Sequence, residues 1–142
     1  MRISDILRSK GTAVSTVRPD ATVRHLLAAL AEHNIGALVV SEDGESIVGI
    51  VSERDVVRQM HERGAGLLEA SVSSIMTADV RTCTPDEDVD ILRATMTDHR
   101  IRHVPVVGEG KLVGLVSIGD VVKSTISELE TQREHLVGYI QS

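Results

Sequence analysis

Aromatic side chains are nearly missing from this chain, which has no Trp, no Phe and a single Tyr, Tyr139. A core must therefore be built from Val, Ile, Leu, Ala and Met, and a flat ligand must be gripped by aliphatic side chains and backbone rather than by stacking. Cysteine is as scarce. Cys83 stands alone, which excludes an intramolecular disulfide and a multi-cysteine metal site. A basic excess is missing too: 15 Lys and Arg face 21 Asp and Glu, for a formal net charge of −6. An acidic chain without a basic tract or aromatic platforms is poorly suited to nucleic acid, which is held by phosphate neutralisation and base stacking. No apolar run approaches the ~20 residues of a membrane helix. The opening residues Met1-Arg2-Ile3-Ser4-Asp5 carry an early acid and no apolar signal core, so a cytoplasmic protein is expected.

What remains is ordinary globular material. The chain has 142 residues, 42% hydrophobic and 25% charged, enough for one domain or two small units sharing a core. A duplicated unit lies inside it. Residues 14–40 align with 80–106 with ten of 27 positions identical, Pro19/Pro85, Asp20/Asp86, Val23/Val89 and His33/His99 among them. Residues 47–57 then align with 112–122, with seven of 11 identical.

Each copy predicts the same elements. An extended piece (Val14 to Val17; Val80 to Thr84) ends at a proline. A helix follows, with Thr22 or Asp88 as N-cap. Its apolar face is Val23, Leu26, Leu27 and Leu30 in the first copy, and Val89, Leu92 and Met96 in the second. A strand (Ala37–Val40; Val104–Val107), a turn at Asp43-Gly44 or Gly108-Glu109-Gly110, and a second strand (Ile47–Val51; Leu112–Val116) make a hairpin. The last helix opens at Ser52 or Ser117. The unit is β-α-β-β-α and too small to bury its own sheet face. The expected fold is α+β, two such repeats packed by pseudo-two-fold symmetry. Short lead-in helices at Ile3–Lys10 and Val72–Met76 precede the copies, and residues 61–71, with Gly64 and Gly66, read as a linker. Unit boundaries of 1–62 and 72–142 follow, with 63–71 between them. The C-terminal helix runs from Asp120 towards Ile140, and its stripe Val122, Ile126, Leu129, Leu136 and Ile140 suits helix packing, within the chain or against another subunit.

VGIVSERD and VGLVSIGD, each after a Pro-Asp helix and an apolar hairpin, resemble the signature of CBS domains. Two in tandem resemble the CBS pair, or Bateman module, over nearly the whole chain, and the C-terminal half resembles stand-alone bacterial CBS-pair proteins. By its own chemistry Ser-x-x-Asp (Ser52/Asp55; Ser117/Asp120) is a helix cap, with Ser as N-cap and an acid three residues on. The same geometry lets the carboxylate take both hydroxyls of a ribose, while nearby free N–H groups suit a phosphate. Both roles stay open. The intervening residues differ, Glu53-Arg54 against Ile118-Gly119. Arg54 and the helix-start Gly119 join the motif residues as candidate contacts.

The resemblance implies adenine recognition by first-strand backbone and apolar side chains. In the first copy it points to Thr16, Val17, Ala37 and Leu38. In the second it points to Thr82, Cys83, His103, Val104 and Pro105. His99-Arg100-Ile101-Arg102-His103 is the densest basic cluster, and Arg100 and Arg102 are candidates for phosphate because guanidiniums pair with its oxygens in a two-pronged geometry. His99 and His103 are four apart, but Pro105 argues for a helix-to-strand junction, so no metal site is expected. No GxxxxGK[ST] loop or GxSxG elbow is present, and Cys83 has no assigned base. The resemblance implies a non-catalytic sensor of an adenine nucleotide (AMP, ADP, ATP, NAD or S-adenosylmethionine), most simply a homodimer without membrane or nucleic-acid partners. The alternative is a structural or interaction dimer whose sites stay empty.

Overall fold

The computed structural model describes residues 1–11 and 13–141. In chain order the elements are α1 (Ile3–Lys10), β1 (Thr16–Val17), α2 (Val23–His33), β2 (Ala37–Val40), β3 (Gly49–Ser52), α3 (Glu53–Arg63), α4 (Val89–His99), β4 (His103–Gly108), β5 (Lys111–Ser117) and α5 (Ile118–Gln141). Short 3-10 turns at Gly64–Glu69 and Val72–Ser74 join the two halves. The result is α+β, a helix-flanked sheet in each repeat.

In the first repeat β2 pairs parallel to β1 and antiparallel to β3, with Leu38 opposite Val51. All four β2 residues are buried, as a central strand covered on both faces should be. In the second repeat β4 and β5 form the hairpin. The expected strand over Val80–Thr84 contracts to one parallel bridge, Cys83 to Val106. Pro105 explains this. Its carbonyl accepts from Cys83 N–H at 3.0 Å, but it has no N–H to extend the ladder backwards. In the first repeat Val39 aligns with Pro105 and keeps its N–H, and β1 there has two paired residues.

Both helix caps form: the Thr22 hydroxyl accepts from His25 N–H at 3.1 Å and Asp88 from Asp90 N–H at 2.7 Å. Val23, Leu26 and Leu30 turn into the core, but Leu27 is 36% exposed, so the buried stripe is narrower than the spacing suggested. Helices α2 and α4 each end on a left-handed residue, Asn34 (φ 51°) and Arg100 (φ 54°), so His99 and His103 are not on one helical face.

Core membership does not follow chain order. Ile3, Ile6 and Leu7 of α1 are buried with Val89, Leu92, Val104 and Val116 of the second repeat. Leu67, Val72 and Ile75, from the stretch between the repeats, are buried with Val23, Leu26 and Val51 of the first. The lead-in segments are thus exchanged. Residues 61–71 are ordered: α3 continues to Arg63, Gly64 turns the chain with φ +67°, and Leu67 is fully buried. The repeats also meet where Leu112 N–H donates to the Glu45 carbonyl at 2.8 Å.

Helix α5 has 24 residues, about 36 Å at the usual rise. Only Val121 is buried in it, and Val122, Ile126, Leu129, Leu136 and Ile140 are each more than half exposed. The stripe is therefore not spent on packing within the chain.

Candidate functional site

Each Ser-x-x-Asp motif sits where a strand hands over to a helix. Ser52 closes β3 and caps α3: its N–H and hydroxyl donate to Asp55 Oδ2 at 2.8 and 3.1 Å, and its hydroxyl accepts from Asp55 N–H at 3.4 Å. Ser117 and Asp120 repeat this at α5, with 2.9 Å from Ser117 N–H to Oδ2 and 3.2 Å from Asp120 N–H to the hydroxyl. The helix starts are held against the preceding junctions by Glu53 N–H to the Gly36 carbonyl (2.9 Å) and Ile118 N–H to the Arg102 carbonyl (2.8 Å). The capping role is real in both copies.

Around the motifs the copies diverge. A cavity of about 660 Å³ opens beside Asp55, large enough for a nucleotide. One wall is Gly36, Ala37, Ile50 and the start of α3; the other is residues 77–81 (without Ala78) and 99–103 of the second half. Arg54, Arg58, Arg81, Arg100 and Arg102 all line it, and Glu53, Asp55 and Asp79 are the acids present. Among the described residues none of these five guanidiniums has a hydrogen-bond or ion-pair partner, whereas Arg8, Arg18, Arg24 and Arg93 are all paired with carboxylates. In a chain of net charge −6, this cleft gathers five partnerless arginines against three acids, a local excess of positive charge.

Asp120 is engaged differently. Lys10, the last residue of α1, donates from Nζ to Asp120 Oδ2 and to the Leu115 carbonyl, both at 2.6 Å. Burial alone would raise the Asp120 carboxyl, but the hydrogen bonds from Lys10 and Ser117 outweigh it and hold it below the usual carboxylate value. His103 lies between the two motifs. Burial first, then the nearby Lys10 charge, lower its imidazole below the ordinary value against the pull of Asp120 and Glu53.

Of the candidate residues, Ala37, Ser52, Arg54, Asp55, Arg100, Arg102 and His103 share this cavity. Thr16 and Val17 line a second hollow of about 390 Å³ with Arg18 and His25. Neither cavity reaches Leu38, Thr82, Cys83, Val104, Pro105, Ser117, Gly119 or Asp120. Leu38 and Val104 are core side chains, and burial pushes the Cys83 thiol up to about 12, with Glu87 adding to it. Cys83 is a packed core residue. Three basic residues were missed. Arg58 lies one turn after Arg54 and could have been found on a helical wheel; Arg81 and Lys10 carry no motif.

Two like repeats with a cleft between them define a class of domain pair, and the CBS domain model matches residues 3–62 and 72–126. The chain belongs to the CBS domain family. It is 37% identical over 147 residues to the mitochondrial CBS domain-containing protein CBSX3 of Arabidopsis thaliana, covering 98% of this chain and 71% of that protein. A crystal structure of a CBS-domain containing protein from Agrobacterium tumefaciens superposes with a TM-score of 0.85 at 42% identity, covering 88% of this chain and 99% of that one. The CBS domain pair of protein MJ0100, solved with 5'-methylthioadenosine and S-adenosyl-L-methionine, has a TM-score of 0.78 at 25% identity over 88% of this chain and 99% of that one. No helix among the described residues is long and apolar enough to cross a membrane.

Proposed function

We propose that this CBS pair is a non-catalytic regulatory module that binds a phosphate-bearing adenine nucleotide in the cleft between its repeats, at Asp55. The observation that carries the reading is the cavity that joins Asp55 to five partnerless arginines. Asp55 Oδ2 is taken by Ser52, and the free side of the carboxylate faces ribose hydroxyls. The base lies along Ala37 and Ile50, apolar residues that substitute for the missing aromatics. Arg54, Arg58, Arg81, Arg100 and Arg102 take the phosphates, where charge-assisted bonds contribute about 1.5–3 kcal/mol each.

The MJ0100 pair supports adenosine as the common element. Its S-adenosylmethionine is a sulfonium cation, which the arginine-lined cleft of this chain repels. AMP, ADP, ATP and NAD are therefore preferred over it. Ligand alters the geometry between the halves, each unit (1–62, 72–142, with 63–71 between) carrying a lead-in from the other. The exposed stripe on α5, from Val122 to Ile140, supports assembly as a homodimer, and a cytoplasmic location suits a nucleotide sensor. The test is to denature purified protein and analyse what is released. With no Trp and one Tyr, the chain's own near-ultraviolet absorbance is weak and a bound purine dominates. No purine in the supernatant, together with no calorimetric response to AMP, ADP, ATP or NAD, rejects the reading.

A further inference from the structure

The two Ser-x-x-Asp motifs are alike in sequence, but their surroundings are unequal, and the segments leading into them differ in length. Leu7 and Met76 occupy equivalent places. A Cβ added to Gly114 would lie 2.5 Å from Leu7 Cδ2, and one added to Gly49 would lie 2.6 Å from Met76 Sδ. From these contacts the chain runs to the repeat's proline, Leu7 to Pro19 in one case and Met76 to Pro85 in the other, so the first path is three residues longer. In the shorter path Thr77 bonds Ile50 through both backbone groups, 2.9 and 2.8 Å, and residues 79–81 line the open cavity. In the longer path α1 extends to Lys10, and its ammonium reaches Asp120.

The contact is a fitted one. Lys10 Nζ is held at 2.6 Å by both the Asp120 carboxylate and the Leu115 carbonyl, and Asp120 Oδ2 already accepts from Ser117 N–H. The Asp120 side chain is 22% exposed, less than any other carboxylate in an ion pair among the described residues. Asp55 has no cation paired to it among the described residues.

We infer that Lys10 is an internal occupant of the second site: its ammonium holds Asp120 where ribose hydroxyls would bind, so one nucleotide binds per chain, at Asp55, and the Asp120 site opens only when the end of α1 releases. The inference rests on reading Ser-x-x-Asp as a ribose contact. Because α1 is packed on the second repeat's core, release of Lys10 couples occupancy of that site to the position of the N-terminal helix.

Titration calorimetry with ADP on wild type, Lys10→Met and Lys10→Met/Asp120→Asn tests it. Wild type should bind one ADP per chain. Lys10→Met should gain a second event, tightened roughly tenfold or more over any weak second binding in wild type, and the double variant should lose it. Two equal events in wild type, or a single event in Lys10→Met, overturns the inference. Carbon-detected titration of the Asp120 carboxyl reads the contact without nucleotide. It should titrate below the ordinary value in wild type and move up in Lys10→Met and in Lys10→Gln; an unmoved midpoint overturns the inference. Absence of ADP binding to wild type with the expected Asp120 shift would instead count against the nucleotide reading and leave the Lys10 contact standing.

Discussion

Adding one methyl group at each of two equivalent glycines should have unequal effects on stability. A Cβ at Gly49 would sit 2.8 Å from the Thr77 carbonyl oxygen and 2.6 Å from Met76 Sδ. The carbonyl cannot retreat cheaply, because it accepts from Ile50 N–H at 2.9 Å while Thr77 N–H donates back at 2.8 Å. The three atoms nearest a Cβ at Gly114 all belong to the Leu7 side chain, closest at Cδ2, with no backbone atom among them. Neither glycine has positive φ, so alanine fits both backbones and gains about 0.4–1 kcal/mol by restricting the unfolded chain. Overpacking costs roughly 1–3 kcal/mol. Gly49→Ala should fall near the top of that range, for a net loss of about 2 kcal/mol, or roughly 6 °C in Tm for a chain of this size. Gly114→Ala should fall near the bottom and lose under about 0.5 kcal/mol net. Urea unfolding at constant m-value measures both. Equal losses, or a larger one for Gly114→Ala, would show that the Thr77 backbone, which also walls the cavity, is not tied down.

Asp55→Asn keeps the cap's shape and removes its charge, so affinity for ADP should fall roughly 10–150-fold, the equivalent of about 1.5–3 kcal/mol. Stability should fall by no more than about 1 kcal/mol; calorimetry and urea unfolding together check it, and a stability loss with unchanged affinity would leave Asp55 as a cap only. His103 has its imidazole lowered by burial and then by Lys10, so its folded value lies below its unfolded value of about 6.5. Its contribution to stability is full above pH ~6.5 and is lost as pH falls from there through the folded value. Urea midpoints from pH 7.5 to 5 should therefore drop more in wild type than in His103→Gln, and parallel curves would contradict the assignment.

Much of the architecture was legible because it is local. Helix spacing, the Thr22 and Asp88 caps, the hairpins and the Ser-x-x-Asp caps are all set by neighbours a few residues apart. Pro105 was legible as a helix breaker, but its second effect, cutting the strand at Cys83 to one bridge, depends on which edge its missing N–H faces. The exchange of lead-ins was hidden for a similar reason. Ile3, Ile6 and Leu7 show that α1 has a buried face without showing which core it joins, and Gly64 and Gly66 masked the burial of Leu67 just after them. At the site, Asp55, Arg100 and Arg102 could be picked out by residue type. Arg81 and Lys10 are brought to the motifs by tertiary position alone, and the Lys10 contact distinguishes two motifs that the alignment makes equal.

Affinity for ADP and for adenosine, measured side by side in wild type and Arg102→Ala, bears most directly on whether phosphates sit among the cleft arginines. ADP should bind roughly tenfold or more weakly to Arg102→Ala, a loss that shrinks as salt rises, since salt screens a partly exposed ion pair. Adenosine, with no group for the guanidinium to hold, should bind both proteins equally. Equal losses for the two ligands would make Arg102 a residue of the fold rather than of the phosphate site.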